Sequence, residues 1–151
     1  MTNLAFFLST PQTIDAVFRL DGHRLSTRTL ADWARQGVAV PSRWPQRRGR
    51  YNPRGYTVRD VAIVRLVLRL RRAGVSMQQV KRIIDRPDVR ASLRRDTRAE
   101  LVVTSGSRVR FYRQGAPSYE LPNGQALLPL APCAEGIDEA VKSVRGYLAL
   151  G

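Results

Sequence analysis

The residues best suited to binding another molecule lie between Ser42 and Tyr56, where arginine and aromatic side chains alternate with proline and glycine. Guanidinium groups bind phosphates in a bidentate manner and stack on flat rings, and the phosphates that they neutralise release condensed counterions. This segment therefore favours contact with a phosphate polymer. The residues predicted to make that contact are Arg43, Arg47, Arg48, Arg50, Tyr51, Arg54 and Tyr56.

The backbone of the same segment is not helical, because Pro45, Gly49, Pro53 and Gly55 interrupt it at short intervals. We expect a hairpin or an irregular wing that lies along a phosphate backbone and inserts an arginine into a minor groove. The alternative is a disordered basic loop. The interleaved aromatic residues favour the ordered wing.

Charge is distributed unevenly along the 151 residues, whose formal net charge is +14. Residues 1–98 hold 21 Lys and Arg against 7 Asp and Glu, whereas residues 99–151 hold 5 of each. A basic protein without a particular partner is the alternative, but segregation of the charge argues against it. A polyanion partner is the natural inference for the first two thirds of the chain.

A short amphipathic helix is predicted immediately before the basic segment. Ser26 is a suitable N-cap, Leu30, Trp33 and Ala34 form an inward face at helical spacing, and Gly37 ends the helix. A helix of this length with a polar first half suits the major groove of DNA, although an ordinary surface helix would show the same pattern. Its outward residues, the candidate DNA contacts, are Thr27, Arg28, Asp32 and Arg35.

Three further helices are predicted around this one. The first begins at Ser9 or Thr10, has an apolar face of Ile14, Val17 and Phe18, and ends at Gly22. The third begins at Thr57, with Asp60 at the capping-box position, and ends at Gly74. The fourth runs from Ser76 to Asp85. On the third helix Arg65, Arg69 and Arg72 form a stripe that we expect to be a solvated face rather than a phosphate clamp.

The chain beyond Pro87 has a different pattern. Residues 88–99 form a linker or one short helix. Alternating and apolar runs at 101–103, 109–111 and 126–130 then predict strands, and residues 136–150 predict a closing helix. The expected fold class is α+β, an N-terminal winged helix-turn-helix domain (1–87) followed by a small β-sheet plus terminal helix unit (100–151). We expect that last unit to mediate dimerisation or to bind a partner.

Several classes of function are disfavoured. With one cysteine, Cys133, and one histidine, His23, the chain can form neither an internal disulfide nor a Cys or His metal cluster. No nucleophile motif, phosphate-binding loop or dinucleotide turn is present, so neither an enzyme nor a cofactor is expected. No signal peptide and no apolar run of membrane-spanning length occur, so we expect a cytoplasmic, nucleoid-associated protein without membrane contact.

Residues 25–85 resemble the MerR-type winged helix-turn-helix family. The matching motifs are Ser26-x-Arg28-Thr29-Leu30-x-x-Trp33-x-x-x-Gly37-Val38 with Pro41, Gly55-Tyr56-Thr57-x-x-Asp60-Val61, and Leu70-Arg71-Arg72-Ala73-Gly74-Val75-Ser76-Met77-x-x-Val80. The chain departs from the family in having Ala31 in place of an arginine and Asp32 in place of an aromatic residue. It also lacks the long helix that pairs subunits, which would follow Pro87.

The resemblance implies a sequence-specific regulator of transcription that binds double-stranded DNA. A homodimer, or other self-association through the C-terminal unit, is the expected assembly. Two alternatives stay open: an antitoxin-like protein that also captures a protein partner, and an excisionase-like protein that bends DNA. RNA binding lacks any recognisable module signature.

Overall fold

A computed structural model describes residues 7–42, 55–93, 100–103, 109–112, 126–129, 133 and 135–150. Side chains are described in all of these except the three strand segments and residues 145–150. The helices of this described part are α1 (Thr10–Asp21), α2 (Thr27–Arg35), α3 (Val58–Arg72), α4 (Met77–Ile84), α5 (Pro87–Ala91) and α6 (Ile137–Leu150).

The helices begin where short polar side chains can satisfy free backbone N–H groups. Ser9, Ser26, Thr57 and Ser76 each accept a hydrogen bond from the N–H three residues further along the chain, so the predicted caps are confirmed. After α1 the chain turns through Gly22, whose φ of 67° lies in the left-handed region that favours glycine.

Three short segments pair through their backbones as antiparallel strands. They are β1 (Glu100–Val103), β2 (Val109–Tyr112) and β3 (Ala126–Pro129), in the spatial order β2-β1-β3. In this register Leu101 lies opposite both Phe111 and Leu128.

The described core is built from helices and the connections between them. Its largest fully buried side chains include Leu8, Leu30, Tyr56, Leu66 and Leu70, which come from α2, α3 and the segments before α1 and α3. Leu8 and Tyr56 also exchange backbone hydrogen bonds of 2.7 and 2.8 Å, which joins the segment before α1 to the segment before α3. The core therefore spans residues far apart in the sequence.

The expected α+β fold class, with a β-sheet plus terminal helix unit, is wrong. Among the residues whose side chains are described, 67% are helical and none lies in a strand. Helix α6 packs against α1 and α3, where Ile137, Ala140, Val141 and Val144 are buried. Ala16 of α1 is fully buried in the same contact, where it clusters with Ala140 and Val144 of α6. The proposed domain boundaries at residues 87 and 99 stay a prediction.

The face of α1 also differs from the prediction. Ile14 and Val17 are buried as expected, but Phe18 is 40% exposed and lies under the guanidinium of Arg24, 4.5 Å from its ring centroid. Because α6 covers the side of α1 that carries Ala16, the buried stripe is rotated away from Phe18. A sequence pattern alone does not contain that rotation.

A buried arginine joins α1, α3 and the segment that precedes α6. Arg65 is only 4% exposed, and its Nε and Nη2 donate to the Asp21 carboxylate at 2.9 and 3.2 Å. Its Nη1 donates to the carbonyl oxygens of Cys133 and Glu135 at 2.9 and 2.8 Å. Arg69 adds a longer contact of 3.3 Å to Asp21. We call Asp21, Arg65 and Arg69 the arginine clamp.

The clamp corrects the expectation of a solvated arginine stripe on α3. Arg72 is exposed as predicted, but Arg65 is buried and Arg69 is half-buried. A buried guanidinium is tolerated because a carboxylate and two carbonyl groups satisfy its donors. None of the described helices has the length and apolarity needed to cross a membrane.

Replacing Arg65 by alanine is expected to lower the free energy of unfolding by about 3 kcal/mol, because the buried Asp21 carboxylate would lose its main partner. Arg72→Ala, an exposed change on the same helix, is expected to stay within about 0.5 kcal/mol of the wild type. Urea denaturation followed by circular dichroism measures both. Equal stability of the two variants would contradict the structural role of the clamp.

Cys133 is expected to react slowly in the folded protein. Burial raises the pKa of its thiol to about 11, because the effect of burial is larger than the lowering of the pKa by the charges of Arg69 and Arg65. Since the thiolate is the nucleophile, alkylation by iodoacetamide at pH 8 should be at least about 100-fold slower in the native than in the denatured protein. Mass spectrometry of timed samples measures the two rates, and similar rates would show that the thiol is accessible.

Candidate nucleic-acid interface

Helix α2 has one face in the core and the other in solvent. Leu30, Trp33 and Ala34 are buried, whereas Thr27 and Arg28 in the first turn are exposed. This division is the one that the sequence predicted. The polar first half of the helix is therefore open to a ligand, and the apolar face fixes its orientation.

The first turn of α2 is held by its cap. Ser26 Oγ accepts the N–H of Thr29 at 3.0 Å and forms a second hydrogen bond of 2.8 Å with Thr29 Oγ1. Arg28 lies between these two residues and forms no ion pair with any of the described acidic side chains. The chain thus presents an uncommitted guanidinium on a rigid turn.

The second half of the outward face carries an ion pair. Arg35 Nη2 donates to Asp32 Oδ1 across one helical turn, and both side chains are largely solvated. A carboxylate has further acceptor positions, so Asp32 can still accept a base amino group while Arg35 holds its other oxygen. The pair reduces the net charge of this half, which leaves Arg28 as the dominant cation of the helix face.

Lys81 of α4 lies over the end of α2, a contact that the sequence does not reveal. At Gly37, where φ is 75°, a side chain would begin 3.1 Å from Lys81 Nζ. A cation in this place complements the partial negative charge at the C-terminal end of α2. Nothing in the spacing of α4 marks Lys81 for this role, because the contact depends on how the two helices pack.

The basic segment is fixed at both ends. On the N-terminal side, the N–H of Ser42 donates to Asp60 Oδ2 at 2.9 Å, and on the C-terminal side the N–H of Thr57 donates to the same oxygen at 2.9 Å. The predicted contacts between these ends lie outside the described residues; they are Arg43, Arg47, Arg48, Arg50, Tyr51 and Arg54.

Tyr56 requires a correction. Its side chain is fully buried, so in this structure it cannot meet DNA. It packs in the hydrophobic core, and its backbone pairs with that of Leu8. A tyrosine next to arginines can either contact DNA or pack in the core, and the sequence alone does not distinguish these two roles.

Other cations extend along α3 to α5. Arg59 donates to the carbonyl oxygen of Arg90 at 3.0 Å and so connects the start of α3 to α5, and Arg82 is exposed on α4.

Among the described residues no group of three or more His, Cys, Asp or Glu could hold a metal ion.

The contacting pair α1 and α2, joined by a short turn and with the second helix half exposed, has the form of a helix-turn-helix. Residues 22–86 match the family model described as MerR HTH family regulatory protein. The resemblance seen over residues 25–85 is thereby confirmed, and it indicates a DNA-binding regulator of transcription. The match begins after α1 and ends before α5. No curated protein matched the chain.

Alanine at Gly37 is expected to cost stability in two ways. The left-handed backbone disfavours a side chain by about 1–2 kcal/mol, and the new Cβ must displace the Lys81 ammonium. Gly22→Ala is the matched control, since its φ is similar but nothing lies within 4 Å. We expect Gly37→Ala to be the more damaging change.

A double-mutant cycle identifies why Gly37→Ala should cost more stability than Gly22→Ala. In a Lys81→Ala background, Gly37→Ala should cost no more than Gly22→Ala, because the displaced group is gone. Urea denaturation of the five proteins (wild type included) measures the differences. An excess that persists without Lys81 would contradict the contact.

Proposed function

We propose that the chain is a sequence-specific, double-stranded DNA-binding regulator that places α2 in the major groove and its basic segment on the phosphate backbone. The observation that carries this proposal is the half-exposed α2, whose polar first turn projects from a helix anchored by Leu30 and Trp33. The match of residues 22–86 to a regulatory family supports it.

The dimensions of α2 suit this placement. Nine residues give a helix about 14 Å long, comparable to the major groove width of about 12 Å. Within the groove, Arg28 would read guanine through its paired acceptors, and Thr27 and Asp32 would contact neighbouring base edges. Arg35, which already binds Asp32, would reach the adjacent backbone.

The proposed role of the basic segment is to supply affinity rather than discrimination. Its arginines and Tyr51 would contact phosphates and sugars, which position a protein without reporting sequence. The excess of basic residues in the first 98 residues supports this, because it is where a polyanion would be met.

We further propose that the protein acts on DNA as a homodimer in the cytoplasm, at the nucleoid. Ile137, Ala140, Val141 and Val144 of α6 are already buried within the chain, so self-association would not use these side chains. A two-fold pair would bind a palindromic site whose half-site spacing follows its own geometry. Genome-wide mapping of bound sites tests this, and a single asymmetric motif would argue against the pair.

The roles of Arg28 and Arg47 are separable by mutation. Once a target site is mapped, Arg28→Ala is expected to narrow the difference in binding free energy between target and random-sequence DNA by ~1–3 kcal/mol. Arg47→Ala should weaken binding to both DNAs alike, because a phosphate contact is independent of sequence. Fluorescence anisotropy with labelled duplexes measures all four affinities.

Salt provides the internal control for this experiment. If about six phosphates are engaged, log K should fall against log salt concentration with a slope of roughly −5, and Arg47→Ala should reduce that slope by about 1. Equal losses on both DNAs for Arg28→Ala would remove its assignment as the base-reading residue.

A further inference from the structure

Asp60 makes a contact that its helix does not need. As the third residue of α3 it completes a capping box with Thr57: its Oδ2 accepts the N–H of Thr57, and its own N–H donates to Thr57 Oγ1 at 3.1 Å. Those two hydrogen bonds satisfy the requirements of the helix start. The additional hydrogen bond from Ser42, 18 residues earlier, serves no capping purpose.

The geometry makes this additional bond specific. One oxygen, Oδ2, accepts both N–H groups at 2.9 Å, so Ser42 and Thr57 converge on a single atom. Asp60 is only 8% exposed, and hydrogen bonds from backbone N–H groups to a shielded carboxylate are stronger than those between neutral groups. Ser42 and Thr57 are thus held at the base of the intervening segment.

The two ends of the segment are secured differently. Its C-terminal end is held twice, by Asp60 at Thr57 and by the backbone pairing of Tyr56 with Leu8. At Ser42, the hydrogen bond described for the N-terminal end is the one to Asp60. Loss of the Asp60 carboxylate would therefore free the Ser42 N–H, whereas Tyr56 would stay paired with Leu8.

We propose that Asp60 is a positioning residue for DNA binding: by accepting the N–H groups of Ser42 and Thr57 at one oxygen, it fixes the ends from which residues 43–54 reach phosphates. This inference rests on the proposed DNA-binding function. Joining the ends in the free protein lowers the conformational entropy that those arginines lose when they bind. Asp60 itself need not touch DNA.

The decisive comparison uses two matched pairs of variants. Ser42→Pro removes the N–H donor and leaves Asp60 and the capping box intact, whereas Ser42→Ala keeps the donor. Asp60→Ala removes the shared acceptor, whereas Thr57→Ala disrupts the capping box from its other side and keeps both N–H groups. Thermal melts identify a temperature at which every variant is folded, and all binding is measured there.

The probe is a labelled 30-base-pair duplex of random sequence, titrated by anisotropy over a range of salt concentrations. We expect Ser42→Pro and Asp60→Ala to bind about 10-fold more weakly at low salt and to flatten the slope of log K against log salt by about 2, because fewer phosphates are engaged at once. Ser42→Ala and Thr57→Ala should lie within about 2-fold of the wild type, with its slope.

An unchanged slope in Ser42→Pro and Asp60→Ala would overturn the proposal and leave Asp60 as a helix cap alone, even if Asp60→Ala is less stable. Wild-type protein that shows no salt-dependent binding would overturn the proposed function as well. Hydrogen exchange tests the Asp60 contact without DNA, and so separates failure of the Asp60 proposal from failure of the proposed function. The Ser42 amide should be protected in Thr57→Ala and lose protection in Asp60→Ala.

Discussion

The pairing of Arg65 with Asp21 is the constraint on which the rest of the fold depends. A guanidinium inside a protein must have its donors satisfied, and Arg65 finds acceptors on two parts of the chain: the Asp21 carboxylate at the end of α1, and two carbonyl groups before α6. The same residue therefore sets the placement of α1 against α3 and brings the later segment to both helices. Apolar contacts such as Ala16 with Ala140 and Val144 then complete the packing.

A second buried acid, Asp60, organises the start of α3. Asp60 gathers backbone N–H groups near the start of the helix, while Asp21 gathers guanidinium groups along its side. One acid thus stabilises the core and the other fixes the base of the basic segment. Helix α2 is anchored separately, by the buried side chains of Leu30 and Trp33, and its outer face stays in solvent.

The sequence predicted the features whose causes are local. The caps at Ser26 and Thr57 depend on residues three positions away, and the inward face of α2 depends on helical spacing, so both were recognisable. The arginine clamp was not, because Asp21 lies 44 residues before Arg65 and an arginine stripe looks like a solvated face. The burial of Tyr56, the exposure of Phe18 and the position of Lys81 over Gly37 likewise depend on how the helices pack. The α+β class was wrong because α6 packs with its apolar stripe on α1 and α3. The sequence of such a stripe does not specify which element it covers.

The clamp also has a consequence for the order of events during synthesis. The two carbonyl acceptors of Arg65 belong to residues 68 and 70 positions later in the chain. Since a chain emerges from the ribosome in order, α1 to α4 exist for a time before those acceptors are available. During that interval Arg65 has only the Asp21 carboxylate, and the side of α1 around Ala16 lacks its cover. The packing of α1 and α3 around Arg65 is therefore completed only after Cys133, Glu135 and the α6 residues that cover Ala16 have been made.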